Sequence, residues 1–230
     1  METSERTSLL IGKDNVEKLA SSRVLVAGVG GVGGMAVESL ARSGIGTLIL
    51  IDRDVVEASN VNRQLPATTR TVGQVKVEVL KRRIAEINPR CEVIVFHQFY
   101  DAAMNDTLES LHPDFVLDCI DSLASKQDLL RWCTDHDVLL ISSMGMARRK
   151  DPSCLKIVEL EKTAGDPMAR RLRVWKRKQH IRKKIMTVCS SELPMEQKPG
   201  QPLPSMMFVP AAAGLLMGAE CVRQLLERKE

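Results

Sequence analysis

The hexapeptide Gly28-Val-Gly30-Gly31-Val-Gly33 stands between a short apolar run, Val24 to Ala27, and a helical pattern that continues through Arg42. Without side chains, such residues let backbone N–H groups and a helix N-terminus come close to an anionic phosphate. Asp52 follows nineteen residues after Gly33, at the end of a second apolar, β-branched run from Thr47 to Ile51. A carboxylate at that point can accept hydrogen bonds from ribose hydroxyls. The pattern reads as a nucleotide site on a strand–turn–helix–strand unit, and leaves NAD, FAD and ATP all open.

The next segment narrows the choice. Asp52-Arg-Asp54-Val-Val-Glu-Ala-Ser-Asn60-Val-Asn-Arg63-Gln64, then Gly73-Gln-Val-Lys76 and Asp118-Cys-Ile-Asp121, resemble the ordered signature of the ubiquitin-activating, ThiF and MoeB superfamily. Arg6-Thr-Ser-Leu-Leu-Ile-Gly12 is similar to that superfamily's N-terminal segment. The resemblance implies ATP as the nucleotide, with Arg63 and Lys76 on its phosphates and Asp121 helping to hold Mg²⁺. Asn60 and Gln64 lie beside them. It also implies a homodimer in which Arg6 reaches the partner's site. The chemistry fits: a carboxylate attacking the α-phosphate of ATP is anion against anion, and needs fixed positive charge and a metal.

Within the superfamily, the chain resembles the TcdA (CsdL) branch, the tRNA threonylcarbamoyladenosine dehydratases. The residues that carry this are Asp118-Cys-Ile-Asp121-Ser, Ile141-Ser-Ser-Met-Gly145, Lys150-Asp-Pro152, Asp166-Pro167 and Val188-Cys-Ser-Ser-Glu192. Met146-Ala-Arg148-Arg149 and Cys189 depart from that branch. The resemblance implies adenylation of the threonine carboxylate in the modified tRNA, then closure by the neighbouring carbamoyl group with loss of AMP. It extends to a cysteine-desulfurase or sulfur-acceptor partner system. Because the nucleophile belongs to the substrate, Cys189 is expected to pack rather than react.

Charge distribution supports a polyanionic partner independently. Residues 170–184 hold nine cations and no acid: Arg170, Arg171, Arg173, Lys176, Arg177, Lys178, Arg182, Lys183 and Lys184. The net charge of the chain is only +4, so the rest nets −5. Such a segment supplies salt-sensitive attraction to RNA phosphates. Val174, Ile181 and Ile185, spaced as one stripe of a single basic helix, are expected to anchor it. A solvated helix and a membrane surface are the competing readings of the same charges.

These residues need a scaffold, and 230 residues with 44% hydrophobic and 27% charged content suffice for one ordinary core. Up to Gly145, apolar β-branched runs at 93–96, 115–117 and 138–141 alternate with helical patterns at 73–88 and 122–133, the latter capped by Ser122. That alternation predicts an α/β, Rossmann-like, doubly wound and mainly parallel sheet. Residues 1–145 form its nucleotide-binding half. Residues 146–230 add an extension that turns antiparallel: strands at 155–160, 185–189 and 205–209, a basic helix, a proline-rich loop at 194–204 and a closing helix at 211–226. The whole is expected to be a single adenylating domain.

The six cysteines form no CxxC pair, which argues against structural zinc or a disulfide framework and for a reducing compartment. The N-terminus carries charges and no apolar core of a signal peptide, and the longest apolar stretch, 208–219, is short for a bilayer. A cytoplasmic location is expected. Two other functions stay open: adenylation of a ubiquitin-like sulfur carrier's C-terminus, and a non-catalytic nucleotide-dependent RNA-binding or redox-binding module.

Overall fold

The computed structural model describes residues 5–228. Two short helices, α1 (Glu5–Ile11) and α2 (Lys13–Ser21), lead into β1 (Arg23–Ala27). The glycine turn opens α3 (Gly31–Ser43), followed by β2 (Thr47–Ile51), α4 (Lys76–Ile87), β3 (Glu92–Phe96), α5 (Asn105–Leu111), β4 (Phe115–Asp118), α6 (Leu123–Asp135) and β5 (Leu139–Ser143). The second half contributes β6 (Leu155–Glu159), α7 (Pro167–Lys178), β7 (Met186–Ser190) and α8 (Phe208–Glu227). All seven strands join one sheet in the order β3-β2-β1-β4-β5-β7-β6, parallel except for β6, which runs antiparallel to β7.

The sequence pattern explains the layering. β2 and β4 are buried along their whole length, as continuous apolar strands covered by helices on both faces must be. β3 and β6 are partly exposed, which suits sheet edges. The expected doubly wound, mainly parallel sheet with an antiparallel C-terminal part is therefore found. The extension does not form a sheet of its own, because β7 pairs in parallel with β5 and carries the first half's sheet onward.

Two local expectations fail. No strand forms at 205–209: residues 205–207 lie outside regular structure and α8 begins at Phe208. Pro210 lies in the first turn of α8, where an N–H has no intrahelical acceptor and proline is tolerated. The helix packs closely on α3, since a Cβ on Gly214 would collide with the Val32 carbonyl oxygen. The basic segment is not one helix either. α7 ends at Lys178, where His180 adopts φ 54° and the Ile181 N–H donates to the Lys176 carbonyl at 3.1 Å. Its buried positions are Ala169, Leu172 and Lys176, whereas Val174 is 39% exposed and Ile181 and Ile185 lie beyond the helix.

Candidate functional site

The strand order reverses between β1 and β4, so the connections leaving their carboxyl ends diverge and open a crevice. The glycine turn follows β1 and the Asp118–Asp121 segment follows β4, one on each side. Gly28 adopts φ 84°, and a Cβ there would lie 2.7 Å from the Cys119 carbonyl oxygen, so only glycine lets the two connections meet. A cavity of about 880 Å³ occupies the crevice.

Gly28, Gly30, Gly31, Asp52, Asp54, Arg63, Gln64, Lys76 and Asp121 all line it. Asp52 accepts the Val29 N–H and the Asp54 N–H, each at 2.8 Å, and thereby ties β2 to the glycine turn. Burial raises the Asp52 carboxyl above its ordinary value, although those backbone donors and the Lys76 charge pull it down. Lys76 is buried and donates to Asp54 at 2.9 Å. Arg63 is held by the Ser59 carbonyl at 2.7 Å and the Asn62 side chain at 2.9 Å. Gln64 lines the cavity, and its Oε1 is buried without a hydrogen-bond partner.

Other expected site residues lie apart from the cavity wall. Gly33 is a packing position, where a Cβ would meet the Gly28 carbonyl oxygen. Asn60 is buried and closes its own turn by accepting the Glu57 N–H at 3.2 Å. Arg6 is exposed on α1, away from this lining. Of the basic segment, Arg171 alone lines the cavity among the described residues. Lys176 is buried against Glu161, Arg173 bonds Thr163, and Lys183 and Lys184 pair with Asp137 and Glu159. Most of the nine cations do face outward: Arg170, Arg171, Arg177, Lys178, Arg182, Lys183 and Lys184 are exposed, and the first five of these make no hydrogen bond or ion pair among the described residues, whereas Lys176 is buried and Arg173 half-buried.

Three arrangements have no signal in the sequence. Asp118 is fully buried, accepts from Lys126 and from the Ser142 hydroxyl, each at 2.6 Å, and takes the Ile120 N–H at 3.2 Å. It therefore fixes the turn that carries Asp121. Arg149 is likewise buried and donates to Asp166 at 2.9 Å and to the carbonyls of Gly145 and Glu192, while Asp166 caps α7 through the Ala169 N–H. Arg53 lies over the Phe99 ring, 4.7 Å from its centre, and both line the cavity. Ser122 occupies the N-cap position of α6 but makes no side-chain cap bond.

Cys189 sits within β7, and only 6% of it is exposed. Burial raises its thiol, and Asp166 raises it further against the opposing charges of Arg149, Lys156 and Arg173. A thiol in that state is a poor nucleophile.

A sequence model of the ThiF family matches residues 4–230. The chain belongs to the ThiF family. This ThiF-family chain is 42% identical over 238 residues to the tRNA threonylcarbamoyladenosine dehydratase of Bacillus subtilis, covering 96% of this chain and 94% of that protein. Its fold matches the crystal structures of Escherichia coli tRNA N6-threonylcarbamoyladenosine dehydratase, TcdA, in complex with AMP and with ATP. Each has a TM-score of 0.90 at 32% identity, covering 96% of this chain and 93% of that one. The sulfur carrier protein ThiS adenylyltransferase of Escherichia coli is 35% identical, but over 58% of this chain and 53% of that protein.

Proposed function

We propose that this ThiF-family chain is an ATP-using enzyme that dehydrates threonylcarbamoyladenosine in tRNA by adenylating its carboxylate. The observation that carries the reading is one cavity in which the glycine turn, Arg63, Lys76 and Asp121 converge and which continues to the basic helix α7. Similarity to the dehydratases over nearly the whole chain supports the same substrate. The sulfur-carrier alternative is weaker, because that similarity covers 58% of this chain, against 96% for the dehydratase.

The residues divide the work. Backbone N–H groups of the glycine turn and the N-terminus of α3 receive the phosphates. Asp52, already bound by two backbone donors, keeps lone pairs for ribose hydroxyls. The Arg53–Phe99 pair offers a flat face to the adenine. A substrate carboxylate oxygen attacks the α-phosphorus, the bond to the β-phosphate breaks, and pyrophosphate leaves. Arg63 and Lys76 stabilise the charge that builds on the transferring and leaving oxygens. The carbamoyl group then attacks the acyl carbon, AMP departs, and the attacking group loses its proton.

Asp121 suits Mg²⁺, which keeps several waters and binds through one or two carboxylates plus substrate phosphates. It is a single exposed carboxylate on the cavity wall, and no group of three or more His, Cys, Asp or Glu side chains gathers among the described residues. Bound there, the ion would neutralise phosphate charge. The same reading takes the chain as one adenylating unit, makes it a homodimer completed by Arg6, and gives it a cytoplasmic setting with a sulfur-acceptor system as an associate. No helix of the described residues is long and apolar enough to cross a membrane.

The deciding measurement is mass spectrometry of tRNA nucleosides after incubation with the protein, ATP and Mg²⁺. Loss of one water from threonylcarbamoyladenosine, dependent on ATP, is expected. ATP–pyrophosphate exchange that needs a small carrier protein and ignores tRNA would favour the sulfur-carrier function instead.

A further inference from the structure

The cavity's volume of about 880 Å³ is near the top of the range of roughly 300–1,000 Å³ that holds one small ligand. Its far wall also differs in kind from the nucleotide end. There the chain leaving β5 supplies Met146 and Arg148, and the first turns of α7 supply Pro167, Met168 and Arg171. Pro167 and Met168 stand four and three residues before Arg171, the two spacings that put a side chain beside that of Arg171 on the helix surface. The Arg149–Asp166 pair locks the β5 loop to the start of α7 and leaves Arg149 nothing to offer a ligand. Arg148 is committed as well, with its backbone bonded to Pro204 and Met195 and its guanidinium to the Met195 carbonyl at 3.2 Å. Arg171 is exposed and makes no hydrogen bond or ion pair among the described residues.

We propose that Arg171 anchors an RNA backbone phosphate next to the modified adenosine, while the nucleoside enters the cavity against Met146 and Met168. The proposal rests on the dehydratase reading above and adds to it how the nucleoside is gripped. The substrate carboxylate must lie at the nucleotide end, against the α-phosphate, so a cation on the far wall faces a different anion. The anions that flank an inserted nucleoside are its own backbone phosphates. A planar guanidinium takes a phosphate through two parallel N–H donors, which fixes orientation as well as charge. Lys178 lies two turns along the same helix face, about 10 Å further from the cavity, and continues a phosphate track outward. Nucleosides that undergo chemistry leave the stack for a pocket, and the phosphates beside them stay at its mouth.

The test pairs Arg171→Ala with an RNA hairpin carrying threonylcarbamoyladenosine, in which a neutral methylphosphonate replaces the phosphate on one side of the modified residue or the other. On the unaltered RNA, Arg171→Ala is expected to raise KM by ~10–100-fold, the scale of one charge-assisted hydrogen bond, with kcat and the KM for ATP little changed. For one of the two methylphosphonate RNAs, the wild type loses the same factor and Arg171→Ala loses nothing further. Arg171→Lys recovers part of the loss on the unaltered RNA. If the two penalties multiply at both linkages, or if Arg171→Ala leaves KM for RNA unchanged, Arg171 does not hold that phosphate and the proposal falls while the dehydratase reading stands. A wild-type protein that dehydrates none of these RNAs overturns both.

Discussion

Asp121 projects into the cavity from a turn that Asp118, not Asp121 itself, holds in place. Asp121→Ala should therefore keep the fold while AMP formation falls to background, because it removes the carboxylate proposed to hold Mg²⁺ and no core group. Near-normal turnover would remove the magnesium assignment. Arg63→Ala and Lys76→Ala should each lose at least about 10²-fold in kcat/KM, the scale for deleting one preorganised charge stabiliser. Cys189→Ser should retain dehydratase activity, since its buried thiol is raised and ring closure already sets the attacking group beside the acyl carbon. An acyl adduct trapped on that thiol in the wild type would reverse this. The nine expected nucleotide-site residues that line the cavity are legible in the sequence because each lies in a contiguous motif. Ser142 is not, because its bond to Asp118 exists only through the β4–β5 pairing that aligns the two residues, nor is Lys126, which meets Asp118 only once α6 has folded against β4. In sequence Arg149 is only a departure from a motif, and its role emerges when Asp166 arrives from 17 residues away.

Among the elements, α7 shows how tertiary partners redistribute a charge run. Arg173 and Lys176 serve as ties to Thr163 and Glu161, so neutralising them would disturb the helix as well as any RNA binding. The informative set is Arg170, Arg177, Lys178 and Arg182. Replacing these four with Gln should weaken tRNA binding and spare ATP binding. The log–log salt slope should become shallower by up to roughly 0.7–0.9 for each RNA phosphate that is no longer neutralised. An unchanged slope would make the segment a solvated face. The α3–α4 packing carries its own pH signature. Burial alone would raise Glu38, yet hydrogen bonds from Arg83 and Arg42 outweigh it and lower the carboxyl below its ordinary 4.5. A depressed carboxylate stabilises the fold above its unfolded value and loses that contribution as pH falls through the folded one. The Tm difference between wild type and Glu38→Gln should accordingly be largest near neutrality and shrink below pH 4.5. A constant difference would mean that the three side chains are not coupled. The seven strands of the sheet can be read from the sequence as apolar runs, whereas Ser205 to Val209, which holds one β-branched residue, reads falsely as an eighth. The start of α8 cannot be read, because Pro210 looks like a stop until the packing of α3 shows a first helical turn there.

At the scale of the whole molecule, the sheet order puts the glycine turn and the Asp121 turn on opposite sides of one crevice, so a single chain supplies most of the site. Arg6 is the exception. It lies on α1, outside the cavity lining, on a helix whose Leu9 and Leu10 are 83% and 85% exposed. Two exposed leucines beside a candidate catalytic arginine are what a helix docking on a second copy would present. If Arg6 acts across such a dimer, each active site needs Arg6 from one protomer and Asp121 from the other. Arg6→Ala and Asp121→Ala should then be inactive alone. Mixed after subunit exchange, they should recover up to about a quarter of wild-type activity, since half of the dimers formed at random carry one intact site of two. Exchange can be followed separately by native mass spectrometry of the two tagged chains. Confirmed heterodimers with no recovered activity would mean that Arg6 serves its own chain's cavity or none, and the exposed α1 leucines would then need another partner.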